Sequence, residues 1–267
     1  MSSELKIRNM NEQTAPQPHP LKFDFLPNPR NMRMLIIAPS GGGKSQLVLN
    51  LLSNPSFGMR EFFGESIVIV STTIGKDPTY QNLIGTLPKT HVMTEWNDRT
   101  ITQLMKYSSK QPNGILLIVD DMLGSNTAMK RSSGKTTMLE RIFIEGRHFK
   151  VQIFALSQRY YGFSPIIRAN NTHTCVFSLR NTNETKLFLH DHDHIEGIED
   201  LYRKATAEPY SFAYIDKIKR RVFRCFEEEL TVGERSSAGA DNDTDADAGR
   251  NTRQLRFEIR ESKLGEA

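Results

Sequence analysis

Four short runs of apolar residues stand out from an otherwise polar chain of 267 residues. Each run has the length of a buried β-strand, and aliphatic side chains fill it without the polar alternation of a half-exposed strand. Such runs are typical of parallel strands that are covered on both faces. They occupy 34–37, 66–71, 115–119 and 151–157. We therefore predict an α/β fold with a mainly parallel sheet flanked by helices.

Segments with helical periodicity separate these strands. Apolar residues recur at the helical spacing between Leu47 and Leu52, directly after the first run. Asp98 or Thr100 is the expected N-cap of a later helix, and Ser164 followed by Pro165 is typical of a helix start. The later predicted helices cover 98–107, 138–146 and 165–169.

Weaker strand signals flank these elements. Leu21, Phe23 and Phe25 alternate with polar residues and predict a short strand that enters the sheet before the first run. Further strands are predicted at 91–93 and 174–179, and a C-terminal antiparallel hairpin at 210–215 and 221–226. Residues 1–19 and 231–267 are predicted to be mostly disordered, which leaves one folded domain at 20–230.

A glycine-rich segment connects the first strand to its helix. Three glycines let backbone amides converge on an anion, and the helix then begins with Lys44 and Ser45. This order is typical of P-loop NTPases, so we expect ATP here, with Lys44 on the β- and γ-phosphates and Ser45 Oγ on Mg²⁺. Ala38 replaces the usual first glycine, which the turn tolerates if its φ is negative. The expected nucleotide-binding residues are Ala38, Pro39, Ser40, Gly41, Gly42, Gly43, Lys44, Ser45 and Gln46.

Polar side chains end the third and fourth runs. Because the carboxyl ends of parallel strands form the ligand-binding edge of an α/β sheet, we expect them beside the phosphate loop. Asp120 is the expected Mg²⁺ ligand, on a β-segment next to the one that leads to Ser45, and Asp121 is expected to polarise the attacking water. Gln158 can hydrogen-bond a γ-phosphate oxygen and that water. The alternatives are a solvated acidic turn and an ordinary strand-end glutamine.

Composition and charge restrict the class of protein. The formal net charge is +4, although 233–254 carries five carboxylates against three arginines, so the remainder is basic enough to suit a phosphate-rich partner. Cys175 and Cys225 lie in apolar runs, which predicts reduced, buried thiols rather than a disulfide. The aliphatic runs are too short for membrane spans and no secretory signal is apparent, so we expect a soluble, intracellular protein.

Motif searches argue against other P-loop classes. A GTPase needs an N-K-x-D motif and a small kinase an arginine-rich lid, and the sequence shows neither. Residues 134–137 imitate a second phosphate loop, but Met129 stands where its first glycine belongs. Two strands lie in chain order between the phosphate loop and the strand of Gln158, which is typical of hydrolytic motors.

The sequence from about Leu21 to Phe226 resembles the poxvirus-type genome-packaging ATPases of large DNA viruses and virophages, within the FtsK-HerA superfamily. The resemblance rests on APSGGGKS, ILLIVDDM, GRHFKVQIFALSQ, SPIIRAN and the closing hairpin. It implies a RecA-like (ASCE) P-loop NTPase fold. It also implies a homo-oligomeric ring, a pentamer or hexamer, that hydrolyses ATP with Mg²⁺ to drive double-stranded DNA into a capsid built of other proteins.

Adjacent subunits of such a ring share each active site, so the resemblance also implies an arginine supplied in trans. Arg147 is the first candidate and Arg168 the second. For both, the alternative is an arginine that complements a helix C-terminus.

The contacts to DNA are less clearly marked. Lys130, Arg131 and Lys135 lie in a polar loop that could reach a central channel, and a second basic cluster lies at 217–224. The run 190–194 alternates histidine and aspartate, but no cysteine or further ligand is nearby in sequence to complete a Zn²⁺ site.

The sequence therefore predicts an ATP-driven double-stranded DNA translocase that packages a viral genome. The host cytoplasm or nucleus, a viral factory or the virion are its expected locations. Two alternatives stay open. One is a cellular FtsK-HerA-like motor for DNA transfer, and the other is an ATP-dependent capsid-assembly switch that does not translocate.

Overall fold

The fold is known from a computed structural model, which describes residues 19–74, 80–81, 84–85, 87, 91–120 and 136–232. Within them a nine-stranded sheet has the order β3-β2-β4-β5-β1-β6-β7-β8-β9. The strands are β1 (Arg33–Ile37), β2 (Ile67–Ser71), β3 (Val92–Met93), β4 (Ile115–Asp120), β5 (Val151–Ser157), β6 (His173–Phe177), β7 (Phe212–Asp216), β8 (Arg221–Arg224) and β9 (Glu228–Leu230).

The first six strands run parallel, and β7, β8 and β9 add to β6 in antiparallel fashion. The predicted parallel sheet and closing hairpin are thus present. The third antiparallel strand, β9, was not predicted because its exposed Glu228 and Glu229 leave no apolar pattern to recognise.

Seven α-helices lie within the described residues. They are α1 (Lys44–Ser53), α2 (Met59–Phe63), α3 (Asp98–Ser108), α4 (Met138–Glu145), α5 (Pro165–Asn170), α6 (Thr182–Asp191) and α7 (Ile198–Ala205). Asn97 caps α3 instead of Asp98 or Thr100, because its side chain accepts the amides of Arg99 and Thr100. Helices α2, α6 and α7 were not predicted.

Two apolar cores sandwich the sheet. Alternate residues of a strand point to opposite faces, so Met34 and Ile36 pack with α1 while Leu35 and Ile37 pack in the second core. That second core takes its helical side chains from α3 to α7. Burial on both faces explains why the central strands are apolar throughout.

The strand predicted at Leu21, Phe23 and Phe25 is wrong. The segment folds back on itself: the His19 side chain hydrogen-bonds the carbonyls of Leu21 and Leu26, and the Leu26 amide donates to the Phe23 carbonyl. Phe23 and Phe25 still pack against the core beside α1, and their rings stack with centroids 5.3 Å apart. Their alternation therefore reflects packing from a turn.

Both cysteines are free, as predicted, but Cys225 is only half-buried and follows β8 in a left-handed conformation with φ 54°. Cys175 is fully buried within β6. The predicted terminal arms lie almost wholly outside the described residues.

Gly114 offers a test of how β4 enters the sheet. Its φ is 71°, and a Cβ at this position would lie 1.9 Å from the Lys150 carbonyl oxygen, which accepts the Ile115 amide. We expect Gly114→Ala to cost about 3 kcal/mol or more in the free energy of unfolding, because left-handed strain and a backbone overlap add.

Gly58→Ala is the matched control. Gly58 has a similar φ of 65°, but the nearest atoms to its added Cβ would be 3.4 Å away. It should lose only about 1 kcal/mol from the strain. Equal losses in the two variants, measured by urea unfolding, would contradict the role of the close approach at Gly114.

Candidate active site

The loop between β1 and α1 is shaped by its glycines. Gly41 and Gly43 have φ of 72° and 100°, in the left-handed region. The Gly42 amide donates to the Pro39 carbonyl at 2.9 Å, and a Cβ on Gly42 would lie 2.9 Å from both that oxygen and Ala38 Cβ. Ala38 is buried and is not among the residues with positive φ, which is the condition under which alanine suits the turn.

Helix α1 presents its positive end to this loop. Its N-cap, Gly43, has no side chain to cap the first turn, and that turn carries no acidic residue. Lys44 Nζ reaches back over the loop and donates to the carbonyl oxygens of Ala38 at 2.9 Å and Pro39 at 3.4 Å. The positive end of α1 and the ammonium of Lys44 thus lie at the same loop, which suits a polyphosphate.

Asp120 ends β4 as a buried carboxylate with 4% of its surface exposed. Its Oδ2 accepts a hydrogen bond of 3.0 Å from the hydroxyl of Tyr80, which is fully buried. The phenol fixes the orientation of the carboxylate. Sequence reasoning missed Tyr80, since a single tyrosine 40 residues away in the chain carries no pattern.

The sheet order corrects one expectation. Strands β1 and β4 are not neighbours, because β5 lies between them. The strand register sets Ile37 of β1 beside Ser157 of β5, and the Ala38 amide donates to the Ser157 carbonyl at 3.2 Å. The loop of Lys44 and the carboxylate of Asp120 therefore flank the end of β5.

Gln158 follows β5 at this point, between the phosphate loop and the end of β4. Its side chain is exposed. The turn that carries it is held by Ser157 Oγ, which accepts the Arg159 amide at 2.9 Å and donates to the Arg159 carbonyl at 2.7 Å. The predicted edge thus brings together the strand ends that lead to Ser45, Asp120 and Gln158.

The oxygen donors at this edge suit Mg²⁺. A serine hydroxyl on α1 and a buried aspartate at the end of β4 are hard oxygen ligands, and Mg²⁺ is usually held by one or two such groups together with substrate phosphates. Ser45 and Asp120 would hold the ion. Asp121 lies outside the described residues, as do Lys130, Arg131 and Lys135.

Arg147 lies at the other end of the parallel strands, away from the phosphate loop. It belongs to a short 3₁₀ helix, Gly146–Phe149, between α4 and the start of β5, and its side chain is exposed. Burial, and then the positive charge of Arg147, lower the pKa of Arg33, the first residue of β1. Ala38 lies five positions after Arg33 along β1, which is about 16 Å of strand. Arg147 is therefore remote from the phosphate loop of its own chain.

Arg168 is used inside the fold. Its Nε donates to Asp191 Oδ2 at 2.7 Å, its Nη1 donates to the Phe163 carbonyl at 2.8 Å, and its guanidinium lies 5.5 Å from the Tyr160 ring centroid. Only 11% of its side chain is exposed. These contacts favour a structural role for Arg168.

The basic cluster at 217–224 is largely paired within the chain. Arg221 makes two hydrogen bonds of 2.6 Å to Glu229, and Arg224 approaches Glu208 at 3.4 Å. Lys217 Nζ donates to the Arg168 carbonyl, and Lys219 Nζ to the Asp24 carbonyl. Four of the five cations in the cluster are thus engaged within the chain, and Arg220 is exposed.

The histidine run at 190–194 lies at the C-terminal end of α6, which ends at Asp191. His192 is fully buried, with its Nδ1 2.8 Å from the Phe188 carbonyl oxygen, while the side chain of His190 is 81% exposed. Among the described residues no three His, Cys, Asp or Glu side chains are grouped to hold a metal ion. The same residues include no helix that is long and apolar enough to cross a bilayer.

A family comparison matches residues 25–194 to the model described as "Poxvirus A32 protein". The chain belongs to this family. The match confirms the family resemblance inferred from the motifs. A sequence comparison with curated proteins gave no match.

Solved structures share the fold of this A32-family chain. One is B204, described as the DNA-packaging ATPase from Sulfolobus turreted icosahedral virus, with 19% identity, a TM-score of 0.55 and coverage of 74% of this chain and 97% of that chain. Another is the genome packaging NTPase B204 from Sulfolobus turreted icosahedral virus 2 in complex with AMP, with 18% identity, a TM-score of 0.54 and the same coverages. The predicted P-loop fold class is confirmed.

Two buried histidines should make the stability of the fold depend on pH. Burial lowers the pKa of His192 to about 4, against a smaller opposing effect of the Phe188 carbonyl, and burial also lowers the pKa of His173 to about 4. An unfolded histidine titrates near 6.5, so the unfolded chain binds more protons as pH falls from about 6.5 to 4. Each group should therefore cost about 2 kcal/mol of stability between pH 7 and pH 5.

His192→Gln tests this linkage. The loss of unfolding free energy between pH 7 and pH 5 should shrink by about 2 kcal/mol in this variant, as measured by urea unfolding at both pH values. His190→Gln, two residues away on the surface, should keep the wild-type loss. A wild-type pH dependence in His192→Gln would show that His192 is not the group responsible.

Proposed function

We propose that this A32-family protein hydrolyses ATP to translocate double-stranded DNA into a viral capsid. One observation carries the proposal: the register of β1, β5 and β4 brings the phosphate loop, Gln158 and the buried carboxylate of Asp120 to one edge of the sheet. Family membership and the fold shared with viral packaging ATPases support the choice of packaging as the purpose.

In this proposal each side chain has one task in phosphoryl transfer. Lys44 binds the β- and γ-phosphate oxygens. To do so, its ammonium would leave the loop carbonyls that it contacts in the structure. Gln158 hydrogen-bonds the γ-phosphate and the attacking water, and Asp121 polarises that water. Ser45 and Asp120 would hold Mg²⁺, which would neutralise charge on the phosphates. The phenol of Tyr80 keeps Asp120 oriented towards the site.

The position of Arg147 supports a ring of identical subunits, which we expect to be a pentamer or hexamer. Because Arg147 lies at the far edge of the sheet, its guanidinium could reach a nucleotide only in another copy of the chain. A head-to-tail ring sets the far edge of one subunit against the nucleotide edge of the next. The internal contacts of Arg168 leave Arg147 as the better candidate for the arginine supplied in trans.

For DNA we favour the loop residues Lys130, Arg131 and Lys135 over the hairpin. Four of the five hairpin cations already contact Glu229, Glu208 or backbone carbonyls. Contacts from lysine and arginine to phosphates grip DNA without reading its sequence, which is what a translocase needs. The remaining proposed partners are capsid proteins, and the proposed place of action is the infected cell, at the site of virion assembly or in the virion.

DNA-stimulated ATP hydrolysis tests the proposal. We expect double-stranded DNA to accelerate phosphate release severalfold, and raising salt from 50 to 200 mM to remove the stimulation, because phosphate contacts weaken steeply with salt. Lys44→Ala should abolish turnover with and without DNA while keeping the wild-type unfolding midpoint.

Lys106→Ala is the matched control. This exposed lysine lies in the last turn of α3, beside Ser108, which contacts the Lys150 carbonyl just before β5, so the variant should hydrolyse ATP at the wild-type rate. Turnover that ignores DNA but rises with capsid protein would replace the motor by an assembly switch. Normal turnover in Lys44→Ala would remove the phosphate-loop assignment altogether.

Subunit mixing tests the arginine in trans. Lys44→Ala and Arg147→Ala should each lack DNA-stimulated turnover as pure proteins. A one-to-one mixture should recover roughly a quarter of the wild-type rate if sites act independently, because a quarter of head-to-tail interfaces then pair an intact Lys44 with an intact Arg147.

The control for mixing is Arg203→Ala, which changes a surface arginine on α7. It should be fully active alone. An Arg147→Ala protein with wild-type activity, or an inactive one that no mixture restores, would assign Arg147 to helix-end stabilisation instead.

A further inference from the structure

Tyr210 is the most exposed large hydrophobic side chain in the described part of the chain, at 74%. It is also one of the few residues other than glycine with a positive φ, at 62°. A bulky residue in the left-handed region is strained, and such strain persists only where the surrounding structure enforces it. Both features make Tyr210 unusual for a surface residue.

The turn that carries Tyr210 is firmly held. The Ser211 amide donates to the Glu208 carbonyl at 3.1 Å, and Ser211 Oγ both accepts the Glu208 amide at 3.2 Å and donates to the Glu208 carbonyl at 2.7 Å. The side chain of Glu208 is approached by Arg224 of β8 at 3.4 Å. The ring therefore projects from a fixed backbone.

This ring lies beside the phosphate loop. A Cβ built on Gly43 would be 3.8 Å from Tyr210 Cδ1 and 3.5 Å from Cε1 of Phe177, the last residue of β6. Gly43 is the N-cap of α1, immediately before Lys44. An exposed aromatic ring thus stands within one side chain's reach of the residues proposed to hold the phosphates.

The sheet order sets the direction in which a bound nucleotide must extend. The groups proposed for the γ-phosphate and Mg²⁺, Gln158 and Asp120, follow β5 and β4 on one side of β1. The ribose and base are at the other end of ATP, so they point to the other side of β1, towards β6 and β7. Tyr210 lies two residues before β7, whose first residue, Phe212, pairs with Phe177 at the same edge of the sheet.

We propose that Tyr210 is the stacking platform for the adenine base of the bound nucleotide. The proposal rests on the proposed ATP site and adds a base subsite to it. The exposed ring offers a π-face to a planar purine, and its fixed backbone lowers the entropy cost of ordering it on binding. Stacking of this kind does not select by hydrogen bonding, so other purine nucleotides should use the same ring.

Binding measurements on the full chain test the subsite. We would titrate AMPPCP, a non-hydrolysable ATP analogue, and inorganic tripolyphosphate, which has no base, by calorimetry in the presence of Mg²⁺. Removing one base–aromatic stack lowers affinity by roughly 5-fold to 150-fold, so Tyr210→Ala should weaken AMPPCP binding within this range and leave tripolyphosphate binding unchanged. Tyr210→Phe keeps the π-face and should bind AMPPCP within about twofold of wild type.

Two further variants guard the interpretation. Tyr210→Gly removes the ring and also relieves the left-handed strain, so it should fold at least as stably as wild type and show the same selective loss. Tyr107→Ala removes another exposed tyrosine, on α3, and should bind both ligands normally.

The possible failures can be told apart. Unchanged AMPPCP affinity in Tyr210→Ala and Tyr210→Gly, or an equal loss for tripolyphosphate, would overturn the base subsite while leaving the phosphate site standing. A wild-type protein that binds neither ligand would overturn the proposed function and the subsite together.

Discussion

The parallel pairing of β1 with β5, and of β5 with β4, is the constraint on which the rest of the structure depends. It sets Ile37 beside Ser157 and Val119 beside Ala155, so the chain leaves all three strands at the same edge. The phosphate loop, the turn of Gln158 and Asp120 owe their proximity to this register, although they are far apart in sequence. A shift of one residue in either pairing would turn every side chain of the shifted strand to the opposite face of the sheet.

The sequence predicted the parts of the fold that have strong local signals. The apolar central strands, the glycine loop and the helix start at Ser164 follow from local rules, and the structure has them. The contacts that complete the site were not predictable in this way. The hydrogen bond from Tyr80 to Asp120 and the approach of Tyr210 to Gly43 join residues distant in the chain, and no periodicity connects them. The position of β5 between β1 and β4 was not predicted for the same reason, because the order of strands along the chain does not determine their order in the sheet.

The phosphate loop and Arg147 lie at opposite ends of the parallel strands. One end carries the groups that would bind a polyphosphate, and the other carries Arg147 close to Arg33, a half-buried guanidinium whose pKa is lowered by burial and, to a smaller extent, by the charge of Arg147. Under the proposed function, a single copy would lack a guanidinium at its own phosphate loop, and a planar guanidinium is the group best suited to stabilise the charge that develops in phosphoryl transfer. The structural use of Arg168, held by Asp191 beneath Tyr160, shows that an arginine near a helix end can equally serve the core.

The outermost strands of the sheet restrict how copies of the protein can join. One edge strand, β3, has only two residues, and the other, β9, has three. In β9, Glu228 and Glu229 are exposed and form ion pairs with arginines of β8. Short, charged border strands offer a poor template for backbone hydrogen bonding by another chain. Self-association through a continuous intermolecular β-sheet, the route by which many α/β proteins misassemble, is thereby disfavoured. Contacts between copies would then be made by side chains. Such contacts can shift and re-form more easily than a ladder of backbone hydrogen bonds.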